Sequence, residues 1–257
     1  MKKVLLTFSF LFLFFSMHIK AQESGSLNTS KIIFAYGAQV NRSFIRYVIL
    51  LTQKQNPKIC FLPTATGDNA NYINYWYQLC EDLPMKPYVQ RVFINSSPEQ
   101  KTFEEYLLGM DAIIIGGGST LNMLGIWKVQ GIDTVLKKAY NKGIILAGGS
   151  AGSLCWFASG YSDSRPQKLT IIDGLGFINA SHCAHYNGEP FRKPLYWKAI
   201  LNKELLPGYA CDDLAGALFK NGKYIKSISL DSANNTYYIS VKNGKINEEK
   251  LPSEIFK

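Results

Sequence analysis

Residues 111–115 read Asp-Ala-Ile-Ile-Ile, an apolar run that leads directly into Gly116-Gly-Gly118. A continuous apolar run is typical of a strand that is covered on both faces of a sheet. Similar runs recur on either side of it, separated by amphipathic helical patterns. The predicted strands are 31–36, 58–62, 89–93, 112–115 and 144–147, and the predicted helices are 43–53, 71–81, 99–108 and 132–141. This alternation predicts an α/β fold, with a mostly parallel sheet covered by helices on both faces.

The pattern changes beyond Gly160, where short β-like segments predominate. We predict a helix near 190–202 and strands at 168–172, 208–212, 215–219, 224–230 and 236–241. Asn221-Gly222 stands between two of these strands and is a strong hairpin signal, because both residues tolerate positive φ. We therefore expect an antiparallel C-terminal edge on the parallel sheet. The sequence shows no internal repeat or linker-like tract, which favours one domain over residues 22–257.

The composition excludes several classes of protein. The chain has 257 residues, of which 47% are hydrophobic and 18% charged, as in a globular protein that buries its own core. Its formal net charge is +9, but the basic residues form neither a stripe nor a known module, so no nucleic-acid partner is expected. The five cysteines are widely spaced and include no C-x-x-C pair. We expect buried free thiols, no metal site and no cofactor. One incidental disulfide in an exported protein is the alternative, and the sequence does not choose its pair.

The N-terminal segment has the layout of a secretory signal peptide. Lys2 and Lys3 precede an apolar run over residues 4–17, and Ala21 stands before Gln22. The run is shorter than the roughly 20 apolar residues that a membrane span needs. We expect a signal peptide over residues 1–21, export to the periplasm or the medium, and no stable membrane association after its removal. An uncleaved anchor is the alternative.

The segment Gly148-Gly-Ser-Ala-Gly152 matches the pattern G-x-S-x-G. A predicted strand precedes it, and a helical pattern over 154–158 follows it. In a nucleophile elbow, small flanking residues let the chain reverse sharply from a strand into a helix, with the serine at the apex. Ser150 is therefore the candidate nucleophile. A glycine-rich turn without a catalytic role is the alternative.

The upstream cluster Gly116-Gly-Gly118 also follows a predicted strand. Acyl transfer needs backbone N–H groups directed at the developing oxyanion, and glycine lets the backbone approach the reacting carbonyl. The amides of Gly118 and Ala151 are the candidate oxyanion hole. The alternative is a phosphate-binding loop, but the cluster lacks the spacing of the common phosphate-binding motifs.

The sequence contains only three histidines, and His18 lies in the predicted leader. A serine hydroxyl needs an adjacent base, usually an imidazole. We assign that role to His185 and interpret His182 as its neighbour. A third group must orient the imidazole, and the residues alone do not rank the candidates. These are Asp163, Asp173, Glu189, Asp212 and Asp213.

Four ordered motifs together resemble the peptidase E, or aspartyl dipeptidase, family of serine peptidases. They are Gly116-Gly-Gly-Ser-Thr120, Gly149-Ser-Ala-Gly-Ser153, Tyr161-Ser-Asp-Ser164 and Cys183-Ala-His-Tyr186. The resemblance covers nearly all of residues 31–230. It implies a flavodoxin-like sheet related to class I glutamine amidotransferases, with serine replacing the nucleophilic cysteine. It also implies that Ser150 is the nucleophile, that His185 is the general base and that Asp163 is the acid that completes the catalytic triad. Gly118 and Ala151 would then form the oxyanion hole.

The family cleaves small peptides that begin with aspartate. The resemblance therefore predicts a metal-independent serine exopeptidase whose partner is a small peptide substrate. Arg192 and Ser119 are the expected substrate-binding residues, and a bidentate arginine–carboxylate contact would suit an acidic side chain. The chain departs from the family pattern at Ser119, where asparagine is usual, and at Ala184, where proline is usual. The subunit count stays open, with a homodimer among the alternatives.

Three other functions are compatible with part of this pattern. A peptidase of the same family acting on β-aspartyl or cyanophycin-like substrates would share all four motifs. A catalytically inactive binding protein could keep the fold, although intact Ser150, His185 and Asp163 favour an enzyme. An α/β-hydrolase esterase shares the elbow, but the 35 residues from Ser150 to His185 are too few for the elements that fold inserts there.

Overall fold

The computed structural model describes residues 30–257, so the predicted signal peptide lies outside the described residues. The strands are β1 (Ile32–Tyr36), β2 (Lys58–Leu62), β3 (Lys86–Val89), β4 (Ala112–Ile115), β5 (Ile145–Gly149), β6 (Phe157–Ser162), β7 (Thr170–Asp173), β8 (Ile178–Cys183), β9 (Gly208–Cys211), β10 (Ala215–Lys220), β11 (Lys223–Ser229), β12 (Thr236–Lys242), β13 (Lys245–Leu251) and β14 (Ser253–Ile255). The helices are α1 (Arg42–Thr52), α2 (Ala70–Cys80), α3 (Phe103–Leu107), α4 (Thr120–Gln130), α5 (Ile132–Lys142), α6 (Ala151–Leu154) and α7 (Arg192–Leu201). Among residues 30–257, none of these helices is long and apolar enough to cross a membrane.

The larger sheet has eight strands in the order β14-β11-β10-β1-β5-β4-β2-β3. The strands β1 to β5 run parallel to one another. β10 lies antiparallel along all of β1, with Ile32 opposite Lys220 and Tyr36 opposite Gly216, and β11 continues this antiparallel edge. The predicted α/β, flavodoxin-like sheet with an antiparallel C-terminal edge is confirmed.

Helices cover both faces of the parallel strands, as β-α-β connections require. On one face α1 and α2 pack against the sheet, and the α2 residue Trp76 stacks on Phe61 of β2 with 5.0 Å between the ring centroids. On the other face α3, α4 and α5 bury residues such as Trp127 and Leu136 against Ile113 of β4. The helices packed on both faces therefore fix the positions of the carboxyl ends of the parallel strands, where the following loops begin.

A second sheet of six strands, in the order β13-β12-β9-β8-β6-β7, adjoins the first, and the sequence patterns do not predict it as a separate layer. In this sheet β6 and β9 run parallel to β8. The helical pattern predicted over 154–158 is wrong, because α6 ends at Leu154 and β6 begins at Phe157. Phe157 is fully buried and stacks on His182 of β8 at 4.4 Å, so packing between strands overrides the local pattern.

The remaining sequence predictions differ mainly at element boundaries. The hairpin between β10 and β11 has φ of +54° at Asn221 and +76° at Gly222, the positive values that a type I′ turn requires. The strand predicted at 89–93 instead ends at Val89, and α4 is an additional helix. Apolar residues occur all around α4, so no amphipathic stripe marks it in the sequence.

All five cysteines are buried with free thiols, as predicted.

Candidate active site

Ser150 occupies the sharp turn between β5 and α6. Its backbone has φ of +56° and ψ of −120°, a combination that non-glycine residues rarely adopt. The glycines around it permit this turn: a Cβ atom at Gly148 would overlap the carbonyl of Gly152, and one at Gly152 would overlap the carbonyl of Ile115. The turn has the strand-serine-helix geometry of a nucleophile elbow, with a half-buried Ser150 at the end of the parallel strands.

His185 follows β8 and lies against Ser150. Its Nε2 atom is 2.9 Å from the Ser150 Oγ, and its Nδ1 atom is 2.7 Å from Oδ1 of Asp213. Since an ionised carboxylate only accepts hydrogen bonds, Nδ1 carries the hydrogen in the neutral ring and Nε2 is free to accept from the hydroxyl. The structure thus brings Ser150 and His185 together in an orientation that suits proton transfer from oxygen to nitrogen.

Asp213, and not Asp163, contacts the His185 ring, which corrects the assignment implied by the resemblance. Asp213 follows β9, and β9 is the neighbour of β8 in the second sheet. A backbone hydrogen bond of 3.1 Å from the Tyr186 N–H to the Cys211 carbonyl holds the two segments side by side. The Asp163 side chain is 65% exposed, and its charged neighbour is Arg192, with 3.6 Å between Oδ2 and Nη2.

The adjacent Asp212 has a different environment from Asp213. Its Oδ2 atom accepts a hydrogen bond of 2.8 Å from the backbone N–H of Asn235, and the residue is almost fully buried. Burial raises the pKa of the Asp212 carboxyl. Only Asp213 of this pair therefore meets the imidazole. The sequence feature that pointed to Asp213 was its position at the end of a predicted strand, which it shares with Asp212. Residues that follow neighbouring parallel strands lie close together at the carboxyl edge of the sheet.

The loop after β4 packs against Ser150. A Cβ atom at Gly117 would lie 3.1 Å from the Cβ atom of Ser150, so this loop comes as close as glycine permits. Gly118 has φ of +133° and lines the same pocket as Ser150 and Ala151. Within residues 30–257, neither the Gly118 nor the Ala151 amide donates any of the backbone hydrogen bonds that join loops, turns and caps. The two predicted oxyanion-hole residues therefore lie beside Ser150.

Ser119 has a structural role at this position. It is the N-cap of α4, where its side chain accepts a hydrogen bond from the Asn122 N–H at 3.4 Å. Gly118 and Thr120 on either side of it line the Ser150 pocket, but Ser119 does not. The structure therefore does not bring this predicted substrate-binding residue into the pocket of Ser150.

Arg192 also lines the pocket of Ser150 and is 4% exposed. Glu189 holds it in a bidentate ion pair, with Nε donating to Oε2 at 2.7 Å and Nη2 to Oε1 at 3.1 Å. The hydrogen bond from Arg192 is the main cause that lowers the pKa of the Glu189 carboxyl, so this carboxyl is ionised near neutral pH.

His182 is a fully buried neighbour of the elbow and not of the Ser150 hydroxyl. Its Nδ1 atom lies 3.0 Å from the Tyr209 carbonyl, and its Nε2 atom lies 2.8 Å from the Ser153 Oγ. Ser153 Oγ is in turn 2.8 Å from the carbonyl oxygen of Ser150. Burial lowers the pKa of His182 to about 3, so its neutral ring supports the backbone of the elbow.

The buried His182 is expected to make the protein less stable in mild acid. Its folded pKa of about 3 lies below the value of about 6.5 for an unfolded chain, so below pH 6.5 the unfolded state binds the extra proton. The contribution to the free energy of unfolding is complete above pH 6.5 and falls by about 1.4 kcal/mol per pH unit towards pH 3. Urea unfolding at pH 7.5 and pH 5.0 should show a loss of about 2 kcal/mol that is missing in His182→Asn. Equal losses in the two proteins would contradict this origin.

Comparison with known proteins places the chain among peptidases. The model of peptidase family S51 matches residues 35–228. The uncharacterised peptidase YgaJ of Bacillus subtilis (strain 168) is 38% identical over 212 residues, which is 82% of this chain and 90% of that protein.

Two solved structures share the fold at low sequence identity. A peptidase from an acI-B1 Actinobacterium has a TM-score of 0.65 at 17% identity and covers 86% of this chain and 94% of its own. A protein of Listeria monocytogenes EGD-e with a provisional peptidase E assignment has a TM-score of 0.59 at 20% identity. That comparison covers 79% of this chain and 100% of the Listeria chain.

Proposed function

The chain belongs to peptidase family S51, and we propose that it is a serine exopeptidase that hydrolyses short peptides through an acyl-enzyme on Ser150. The observation that carries this proposal is the unbroken chain of contacts from Ser150 Oγ through the His185 ring to Asp213, at 2.9 and 2.7 Å. Serine, imidazole and carboxylate in this order are the groups that make a hydroxyl nucleophilic.

In the first half of the reaction, Ser150 Oγ attacks the scissile carbonyl carbon while its proton passes to Nε2 of His185. The Asp213 carboxylate stabilises the imidazolium that forms. The oxyanion of the tetrahedral intermediate accepts hydrogen bonds from the Gly118 and Ala151 amides. The intermediate collapses when His185 gives the proton to the leaving nitrogen, the C–N bond breaks, and the acyl group remains on Ser150 as an ester.

In the second half, water takes the place of the departed amine. His185 removes a proton from the water as the oxygen attacks the ester carbon, and the same two amides stabilise the second oxyanion. The second intermediate releases the Ser150 oxygen, which regains its proton from His185. The products are a free carboxylic acid and the resting enzyme, so no oxidant, reductant or other co-reactant is needed.

The predicted preference for aspartate concerns the first residue of the substrate. The resemblance predicts aspartate, with Arg192 as its ligand, and this preference requires guanidinium N–H groups that face the substrate. Arg192 already donates two hydrogen bonds to Glu189 and lies 3.6 Å from Asp163. The aspartate preference therefore stays a prediction of the resemblance, and hydrolysis of a dipeptide library tests it.

Labelling with a fluorophosphonate probe tests the nucleophile directly. The phosphorus of this probe bonds to an activated serine oxygen and expels fluoride, so labelling needs both the hydroxyl and the base. We expect one adduct, located on Ser150 by mass spectrometry of the digested protein. Ser150→Ala should not label, and Ser96→Ala, which removes an exposed serine far from His185 in the sequence, should label like the wild type. A wild-type protein that does not label would contradict the proposal and favour a binding protein.

A further inference from the structure

His185 has a backbone conformation that its neighbours must hold. Its φ is +52°, in the left-handed region that is uncommon for residues other than glycine. Such a conformation persists where the surrounding contacts over-determine it. His185 lies in the connection between β8 and α7, and among residues 185–191 Tyr186 is the one that is buried, at 2% exposure. The contacts of Tyr186 therefore decide how firmly His185 is held.

The Tyr186 hydroxyl makes two short hydrogen bonds inside the protein. It donates to Oε2 of Glu248 at 2.6 Å and accepts from Nε1 of Trp197 at 2.7 Å. Burial and the contact with Glu248 raise the pKa of the Tyr186 hydroxyl well above its ordinary value of 10, so the hydroxyl keeps its proton and stays a donor. The residue is thus fixed at the tip of its ring as well as at its backbone, where its N–H bonds to the Cys211 carbonyl at 3.1 Å.

The Glu248 carboxylate is itself held in place by Lys193. Its second oxygen, Oε1, accepts a hydrogen bond of 2.9 Å from the Lys193 Nζ. This ammonium lies over the rings of Trp197, Tyr186 and Tyr237, with 4.9, 5.2 and 5.8 Å to the ring centroids. Cation–π attraction to the rings keeps the ammonium beside the carboxylate. Both oxygens of Glu248 are therefore engaged, which fixes the position of the acceptor for the Tyr186 hydroxyl.

Glu248 belongs to a part of the chain that the family model does not match. The match ends at residue 228, whereas Glu248 lies on β13, in the hairpin that β12 and β13 form. β12 also pairs with β9, the strand that leads to Asp213. The C-terminal hairpin therefore contacts both segments that converge on the pair of His185 and Asp213.

We infer that Glu248 is a positioning residue for catalysis, which acts through the Tyr186 hydroxyl to hold the His185 ring against Ser150. This inference rests on the proposed function, in which His185 takes the Ser150 proton across a contact of 2.9 Å. A misplacement of about 1 Å in a reacting contact costs a rate factor of roughly 100. Glu248 itself contacts no reacting atom and exchanges no proton in the reaction.

The rate of fluorophosphonate labelling tests the inference, because labelling depends on Ser150 and its base and not on peptide binding. We expect Glu248→Ala and Tyr186→Phe each to slow labelling by about 10- to 100-fold, while labelling still ends at one adduct per chain. Both variants should lower kcat for a dipeptide by a similar factor and change KM by less than about threefold. The double variant should be no slower than the slower single variant, because both substitutions remove the same hydrogen bond.

Glu249→Ala is the matched control. Glu249 is the next residue of β13, is exposed, and points to the opposite face of the strand from Glu248. We expect this variant to label and to hydrolyse peptides at wild-type rates.

The inference is overturned if Glu248→Ala labels within about twofold of the wild-type rate, or if the losses of the two single variants multiply in the double variant. A lower final extent of labelling at an unchanged rate also overturns it, since Glu248 would then only stabilise the fold. Labelling of the wild-type protein separates these results from a failure of the proposed function. A wild-type protein that does not label rejects the nucleophile itself, whereas equal rates in wild type and variants reject only the role of Glu248.

Discussion

Alanine in place of Ser150 is expected to lower kcat/KM for the best dipeptide by about 10⁴- to 10⁶-fold, because it removes the hydroxyl that contacts the imidazole of His185. The oxyanion hole and the binding groups would remain, so a residual rate above that of water is expected. Steady-state kinetics with a sensitive product assay measure the loss.

The fold should survive this substitution. Ser150 Oγ contacts His185, whereas the Ser150 backbone carries the hydrogen bonds of the turn, with its carbonyl accepting from the Ser153 and Leu154 N–H groups at 3.0 Å each. We expect Ser150→Ala to melt within a few degrees of the wild type, as for substitutions that leave buried packing intact. Activity of Ser150→Ala above about a tenth of the wild-type value would mean that another group is the nucleophile.

The parallel sheet was predictable because its signals are local. Each of β1, β2, β4 and β5 is a short apolar run, and the helices α1, α2 and α5 carry amphipathic patterns between them. The hairpin at Asn221-Gly222 was predictable for the same reason, because its turn depends on the positive φ that these two residue types adopt readily.

The second sheet was harder to predict because its strands depend on their neighbours. β13 reads Lys-Ile-Asn-Glu-Glu-Lys-Leu, a mostly charged segment that becomes a strand by pairing with β12 along its full length. A charged edge strand also discourages pairing with another molecule. β8 reads Ile-Asn-Ala-Ser-His-Cys, and its Ser181 and His182 are buried between β6 and β9. Neither pattern indicates a strand without the rest of the fold.

Part of the candidate site was likewise predictable from local sequence, and part of it depends on the fold. The elbow at Ser150 and the histidine after it were visible in short motifs, and the structure brings them within 2.9 Å. The acid that contacts His185 depends on which strand lies beside β8, a feature of topology that the sequence does not carry. The residues alone left Asp213 among five open candidates, and the resemblance favoured Asp163. Arg192 was recognised as a residue of the pocket, but its pairing with Glu189 changes what it can bind.

Asparagine in place of Asp213 is expected to lower kcat by about 10³- to 10⁴-fold, the size of effect known for the corresponding change in Ser-His-Asp peptidases. The neutral amide cannot stabilise the imidazolium that forms when His185 takes the proton of Ser150. When its NH₂ group faces Nδ1, it also favours the ring tautomer that carries hydrogen on Nε2, which cannot accept that proton. The charge is lost without a change in side-chain size, so the packing of Gly188 against this carboxyl group is kept.

Asp163→Asn is the comparison that makes this experiment decisive, because it removes the same charge from the other aspartate of the site. The contacts predict that Asp213→Asn acts on kcat, since its partner is His185, and that Asp163→Asn acts mainly on KM, since its neighbour is Arg192. Both values come from one titration of initial rate against dipeptide concentration for each variant. A larger loss of kcat in Asp163→Asn than in Asp213→Asn would restore Asp163 as the residue that orients the imidazole, and would require a rearrangement of the segment that follows β6.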